Sequence, residues 1–341
     1  GVPGGFAGDT DVMDTWATSS LTPQIAGRWE TDDDLFRRVF PMDLRSQSHE
    51  IIRTWLFASV TRSHLEFGGL PWSDAAVSGW ILDPDRKKMS KSKGNVVTPM
   101  ALLEQYGSDA VRYWAANGRY GVDTAFDPGQ LKVGRRLAIK ILNASKFVLG
   151  FGDVGGEVTQ ALDLSMLAAL DEAVGEAGRA FESYDHTRAL EVAERFFWSF
   201  CDDYLELVKA RAYEGDASAI VALRRALETQ LRLFAPFLPF VTEEVWSWWR
   251  EGSVHRAAWP QAAPGAGDPA VLTVASEILR RVRKAKSEAK QSMRAEVSRL
   301  TVTGPEVALV RLAQDDLCGA GNVEEFVLEP GESLTVEVEL G

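Results

Sequence analysis

A chain of 341 residues, 45% hydrophobic and 25% charged, has the make-up of a soluble globular protein that buries a sizeable core in two or three domains. Its two cysteines, Cys201 and Cys318, stand far apart, which excludes a disulfide framework and suits a reducing, cytoplasmic setting; no signal-peptide pattern and no bilayer-length apolar run is read. A net charge of −12 excludes generic coating of nucleic acid and leaves only local basic patches for such contacts.

Aspartates at 9, 11 and 14 surround a short apolar pair, predicting a strand end, a polar turn and then a short helix or loop. Asp14 and Trp16 offer a carboxylate for an ammonium group beside a flat apolar wall; the other reading of the pair is an N-cap aspartate and a core tryptophan. The segment 40–50 reads as a short strand and loop. Apolar residues at 51, 52, 55, 56 and 60 then predict a helix, with Trp55 on its face and Glu50 in its first turn. Polar groups such as Ser48, His49 and Glu50, placed where a strand turns into a helix, are where doubly wound folds bind ligands.

Residues 75–82 are expected to form one apolar strand that leads into the run Asp83-Pro84-Asp85-Arg86-Lys87-Lys88-Met89-Ser90-Lys91-Ser92-Lys93-Gly94-Asn95. Mobile lysine charges, serine hydroxyls and a glycine allowing close backbone approach make this loop a candidate grip on a polyphosphate; the alternative is a solvated basic turn.

Helical periodicity resumes after Pro99, with Asp109 as a cap, and helices are expected over 131–147, 164–182, 187–212 and 217–250, broken at Pro236 and Pro239. Together these make a bundle. Arg135, Arg136 and Lys140 give its first helix a basic side, and most of Trp246, Trp248, Trp249 and Trp259 must be core. Residues 261–269 read as a linker. A helix over 271–295 then carries Arg280, Arg281, Arg283, Lys284, Lys286, Lys290 and Arg294 as a positive surface suited to a phosphate backbone. Strand patterns at 323–328 and 334–340, with a helical piece near 305–313, make a small α/β module.

The pentad Lys88-Met89-Ser90-Lys91-Ser92, in its Asp-Pro to Gly-Asn context, resembles the second signature of the class I aminoacyl-tRNA synthetases. The Asp14-Thr15-Trp16 core with Ser19-Ser20 and Pro23, and the later Trp55, resemble the valine-charging branch of that family. The resemblance implies an ATP site at Lys88, Met89, Ser90, Lys91 and Ser92, with Lys88 and Lys91 on the triphosphate, and nucleotide contacts by Ser48, His49 and Glu50. It implies an amino-acid pocket of Asp14, Trp16 and Trp55, with ATP–Mg²⁺ and valine as substrates, tRNA as partner and no protein-bound metal. Ser48 and Glu50 depart from the family's Gly-x-Asp, which puts close backbone approach to the nucleotide in doubt.

The implied architecture is α/β plus all-α. It comprises the second half of a Rossmann-like catalytic fold (1–98), a connector (99–130), a helical anticodon-binding bundle (131–260), the linker (261–269) and the C-terminal α/β module (270–341). The family's first signature, its inserted editing domain and a terminal coiled coil find no counterpart among these residues, so the resemblance is to roughly the last two-fifths of such an enzyme. That reading expects no activity from these residues alone. Two alternatives stay open: an RNA-binding protein derived from a synthetase, and an isoleucine-charging relative.

Overall fold

The computed structural model describes residues 4–5, 10–11, 14–263, 265 and 267–341, and every side chain among them except that of Lys91. The chain divides into two compact units: residues 1–97 with 118–127, and residues 98–117 with 128–341.

The first unit opens with three short helices, α1 (Thr15–Ser19), α2 (Thr22–Ala26) and α3 (Asp33–Val39). Asp14 caps α1 by accepting from Trp16 N–H, and Asp32 caps α3 through Leu35 N–H. Acids in the first turn of α3 and arginines in its last suit the helix dipole. Strand β1 (Met42–Ser48) runs parallel to β2 (Trp72–Ser78), in register from Met42↔Trp72 to Ser48↔Ser78. Between them the chain passes through a 3₁₀ turn (His49–Ile51), a π turn (Ile52–Leu56) and helix α4 (Phe57–Phe67), which ends at Gly68 in the left-handed conformation. Trp29, Phe36, Phe40 and Phe67 pack ring to ring and tie α3 to the end of α4.

The single strand expected over 75–82 is two. β2 stops at Ser78, and β3 (Ile81–Leu82) pairs in parallel with β4 (Thr124–Ala125). The break lies at Gly79, where a Cβ would stand 2.3 Å from the carbonyl oxygen of Val122. Only glycine lets the returning segment pass so close. Trp80 N–H then donates to Asp123 Oδ1 at 2.8 Å, which fixes the turn.

The second unit begins with α5 (Pro99–Tyr106) and α6 (Ser108–Ala116), separated by Gly107 at φ 86°. The helices α7 (Pro128–Leu149), α8 (Ala161–Glu182), α9 (His186–Ser199), α10 (Leu205–Tyr213), α11 (Ala217–Phe234) and α12 (Pro239–Ser247) follow, with a π turn (Phe200–Tyr204) joining α9 to α10. Asp109 does cap a helix, but not its own: in α6, where Gly107 is the N-cap, it lies in the first turn. Its two carboxylate oxygens accept from Phe240 and Val241 N–H at the start of α12, where Leu238 contributes no side-chain cap. Arg112 binds the Pro236 carbonyl at 2.7 Å, so α6 holds the proline break from both sides.

Helix α13 (Pro269–Glu288), strand β5 (Val297–Gly304), helices α14 (Val307–Leu312) and α15 (Gln314–Gly321), and strands β6 (Val323–Pro330) and β7 (Thr335–Leu340) complete the chain. β5 lies centrally, parallel to β6 and antiparallel to β7. One apolar cluster runs without interruption from Tyr113 through the helices to Val297, Leu300 and Val302 of β5. The stretch before α13 is held rather than free. Gly267 passes so near the Leu164 carbonyl that a Cβ would stand 2.1 Å from it, and Ser165 Oγ accepts from Leu272 N–H.

A buried charge network ties the sheet's α15 to the bundle. Arg211 of α10 reaches Asp163 (2.9 Å), Asp216 (2.7 Å) and Asp316 (2.6 Å), while Tyr204 and Ser218 hydroxyls donate to the fully buried Asp163. Burial lowers the Arg211 pKa, but bonds to Asp163 and Asp316 outweigh it and hold the guanidinium charged. No described helix is long and apolar enough to cross a membrane.

Candidate functional site

β1 and β2 end side by side at Ser48 and Ser78, and the groups beyond those ends meet. His49 Nδ1 lies 3.2 Å from the Ser78 carbonyl oxygen, to which it donates. Its ring stands 4.9 Å from that of Trp80. Glu50 accepts from Trp80 Nε1 at 2.9 Å and from Lys88 Nζ at 2.7 Å, and Lys88 lies over the Trp80 ring at 4.5 Å. Hydrogen bonds from Lys88 and Trp80 hold the Glu50 carboxyl below the usual range. Ser48 Oγ accepts from Glu50 N–H and caps the 3₁₀ turn.

The basic loop is a built hairpin. Leu82 bridges Lys88, Asp83 N–H donates to the Lys87 carbonyl, and Arg86 turns the chain at φ 63°. Asp83, 7% exposed, accepts from Lys87 N–H at 2.7 Å and from Asn95 Nδ2 at 2.7 Å, and these bonds lower its pKa. Asn95 Oδ1 in turn accepts from Ser90 N–H, and its amide also reaches the Lys88 carbonyl. Ser90 and Ser92 hydroxyls stand 3.0 Å apart, and Ser90 Oγ accepts from Lys93 N–H. Met89 is half-buried. Lys91 opens the short 3₁₀ turn Lys91–Lys93; its side chain lies outside the described residues. Lysine ammonium groups on so braced a loop can meet a phosphate without the loop first having to order.

Asp14 and Trp16 stand at the start of α1, and Trp55 holds its last residue. Trp55, 3% exposed, donates from Nε1 to the Ser19 carbonyl at 2.6 Å, while Trp16 stays on the surface at 36% exposure and Asp14 spends one carboxylate oxygen on its cap. Behind Trp55, Arg45 of β1 lies on the ring face, and Trp72 stacks at 6.3 Å. Gln24 Oε1, Arg45 Nε and both amide atoms of Gln47 are buried with no protein partner. Desolvation lowers the Arg45 pKa. Trp80, Asp83, Asn95, Arg45 and Gln47 escaped the sequence reading. Asp83 and Asn95 bound the motif itself, but Trp80 reads as any strand residue and the face of Arg45 depends on register.

The basic positions of the second unit are scattered by their partners. Arg135 binds the Gln105 carbonyl, Lys140 pairs with Asp202 at 3.2 Å, and Arg136 and Lys140 flank the Trp198 ring. Arg280 and Arg281 share Glu277, Lys284 pairs loosely with Glu288, and Arg283 donates to the Asp202 carbonyl. The helix expected over 271–295 ends at Glu288, so Lys290 (φ 56°) and Arg294 stand in the loop before β5. Lys286 does not belong to a positive surface. It is 1% exposed, and its ammonium donates to the carbonyls of Gly321 (2.6 Å) and Met293 (3.2 Å) because α15 and the loop close over it. Trp246 is buried, and Trp259 packs edge-on against Phe181. Among the described residues, no group of three or more His, Cys, Asp or Glu is placed to hold a metal ion.

A family model described as tRNA synthetases class I (I, L, M and V) matches residues 3–127, and one described as the anticodon-binding domain of tRNA ligase matches 163–301. The chain is 66% identical to the valine--tRNA ligase of Thermobifida fusca, covering 100% of this chain and 40% of the relative. It is 60% identical to that of Salinispora tropica, covering 99% and 43%. Among solved structures, the ternary LeuRS–tRNA–LeuAMS complex of Agrobacterium radiobacter K84 superposes with a TM-score of 0.62 at 22% identity, over 75% of this chain and 34% of that one. That likeness speaks for the fold alone. The chain therefore spans about two-fifths of the curated relatives it matches. These matches make residues 3–127 similar to class I tRNA synthetases and residues 163–301 similar to their anticodon-binding domain, and along its whole length the chain is similar to valine--tRNA ligases.

Proposed function

We propose that this chain supplies part of the active site and the tRNA-binding bundle of an enzyme that joins valine to its tRNA through a valyl-adenylate. The observation that carries the reading is the Lys88 hairpin, braced by Asp83 and Asn95 and meeting His49, Glu50 and Trp80 beyond the ends of two parallel strands. ATP enters with its Mg²⁺ as substrate.

In the reaction the valine carboxylate attacks the α-phosphate and pyrophosphate leaves. Alignment and charge compensation account for most of the required rate. Lys88 begins in the exposed pair with Glu50 and exchanges that carboxylate for a phosphate oxygen, with Lys91 as its companion on the loop. Glu50, released, accepts from the ribose, and His49 faces the nucleotide. Ser48, Met89, Ser90 and Ser92 shape the ATP side. Asp14 holds the amino group, and Trp16 and Trp55 bound the side-chain pocket. The bundle of 131–260 takes the anticodon, with Arg135, Arg136 and Lys140, and the exposed arginines and lysines after 280, as phosphate contacts.

The test is a chimera in which these 341 residues replace the matching two-fifths of the Thermobifida fusca ligase. Valine-dependent exchange of pyrophosphate into ATP should survive the graft and fall about a hundredfold in Lys88→Ala. The 341 residues alone should show no exchange. Exchange driven equally by isoleucine would favour the isoleucine-charging relative. A chimera that binds tRNA without exchange would favour the derived RNA-binding protein, which has no use for a braced phosphate loop.

A further inference from the structure

Between α10, α13 and the end of α15 lies a cleft of 520 Å³ lined by Lys209, Tyr213, Arg283, Lys286, Arg294 and Asn322. It stands out for its charge. In a chain of net charge −12, four cations line this one cleft against the single carboxylate of Glu206. Glu206 is occupied by Lys209 at 3.4 Å, and Asp202 on the neighbouring π turn is engaged by Lys140. Arg294 has no carboxylate partner among the described residues.

Lys286 makes the stronger case. Its ammonium is buried and no carboxylate faces it. Two of its three protons go to the carbonyls of Gly321 and Met293, and the third has no acceptor among the described residues. A buried cation held only by carbonyl dipoles is costly to keep charged, and an anion seated in the cleft it lines would remove that cost. The direction of its pKa, lowered by desolvation, agrees.

At the mouth, Tyr213 is 67% exposed. Phe147 and Phe151 hold it edge-on at 6.1 and 5.3 Å, so its ring is fixed while a face stays open. A fixed aromatic face beside a cationic pocket is the equipment for one unstacked nucleotide, phosphate inward and base on the ring.

We propose that this cleft binds a nucleotide of single-stranded RNA, its phosphate held by Arg294 and Lys209 and attracted by the buried charge of Lys286, and its base stacked on Tyr213. The proposal rests on the reading of the second unit as tRNA-binding and gives that reading a location. Neither Tyr213 nor Lys209 is marked by any motif in the sequence.

The test titrates the intact 341-residue chain with a fluorescein-labelled single-stranded RNA heptamer, and separately with inorganic phosphate. Both Arg294 and Tyr213 are exposed, so Arg294→Ala and Tyr213→Ala should fold with unchanged melting. Each should weaken RNA binding about tenfold. Arg294→Ala should also flatten the log–log salt dependence by about 0.7, the value of one single-strand phosphate, while Tyr213→Ala leaves it unchanged. Phosphate should raise the melting temperature of the parent chain but not of Arg294→Ala. Parent and variants binding RNA within twofold of each other would place the RNA elsewhere and overturn the cleft while sparing the RNA reading. Absence of RNA binding by the parent, whether or not phosphate binds, would overturn both.

Discussion

The two units are built to different standards of packing. In the first, the buried apolar side chains are Trp55, Trp72, Ala76, Leu82 and Phe126, while Ile25, Phe57, Leu65 and Leu70 lie open to solvent. Its strands form two separate parallel pairs, and parallel strands are ordinarily covered on both faces. The second carries one continuous core from α6 to β5, and among its described residues the buried charges are Asp163 and Asp316, gathered by Arg211, and Lys286, held by carbonyls. The residues proposed for chemistry sit on the first unit, on turns and a hairpin braced by hydrogen bonds rather than by packed side chains. Positioning by polar bracing leaves groups accessible to a ligand, at the cost of stability.

The largest effect expected from this contrast is in amide exchange. Amides of β1 and β2 should exchange at least about a thousandfold faster than those of α8 and α11, since local opening of a thin core needs several kcal/mol less. A single cooperative rate across both units would abolish the distinction. Next, Asp163→Ala should destabilise the second unit by roughly 3–5 kcal/mol in urea, because it strips a buried arginine of a buried partner and leaves two hydroxyls without an acceptor. A loss under 1 kcal/mol would show that Asp216 and Asp316 suffice.

Smaller, and confined to the first unit, is Gly79→Ala. The added methyl meets the Val122 carbonyl, so the returning strand must move, with a loss of about 2 kcal/mol and early proteolysis near 118–127. Proteolysis elsewhere first would mean that the return segment does not hold the turn. The smallest effect is that of pH on the Glu50–Lys88 pair. The Glu50 pKa is lowered in the folded chain, so the pair's contribution is complete above the ordinary value of 4.5 and disappears as pH falls below it through the folded value. The Trp80 indole N–H resonance should shift in that window and stay still in Glu50→Gln. A shift centred above 4.5 would contradict the depressed pKa.

Much of this was readable before any coordinates. Periodicity alone marks the bundle helices, since apolar residues at helical spacing must face a common core, and Pro236 and Pro239 mark the break between α11 and α12. The basic serine-rich loop was equally plain, because its residues are contiguous. What neighbours do across space was not. Asp14 serves as both candidate ligand and cap, and only the backbone shows the cap being made.

From its sequence alone, this chain is determined to form the bundle helices, a basic serine-rich loop and the last strands, because each depends on neighbours within a few residues. The tertiary structure decided that Lys286 is buried, that Asp109 caps a helix 131 positions away, that Glu50 holds Lys88, and that Lys209 and Arg294 line one cleft. Such pairings join residues far apart in the chain, and only the packing of whole elements brings them within reach.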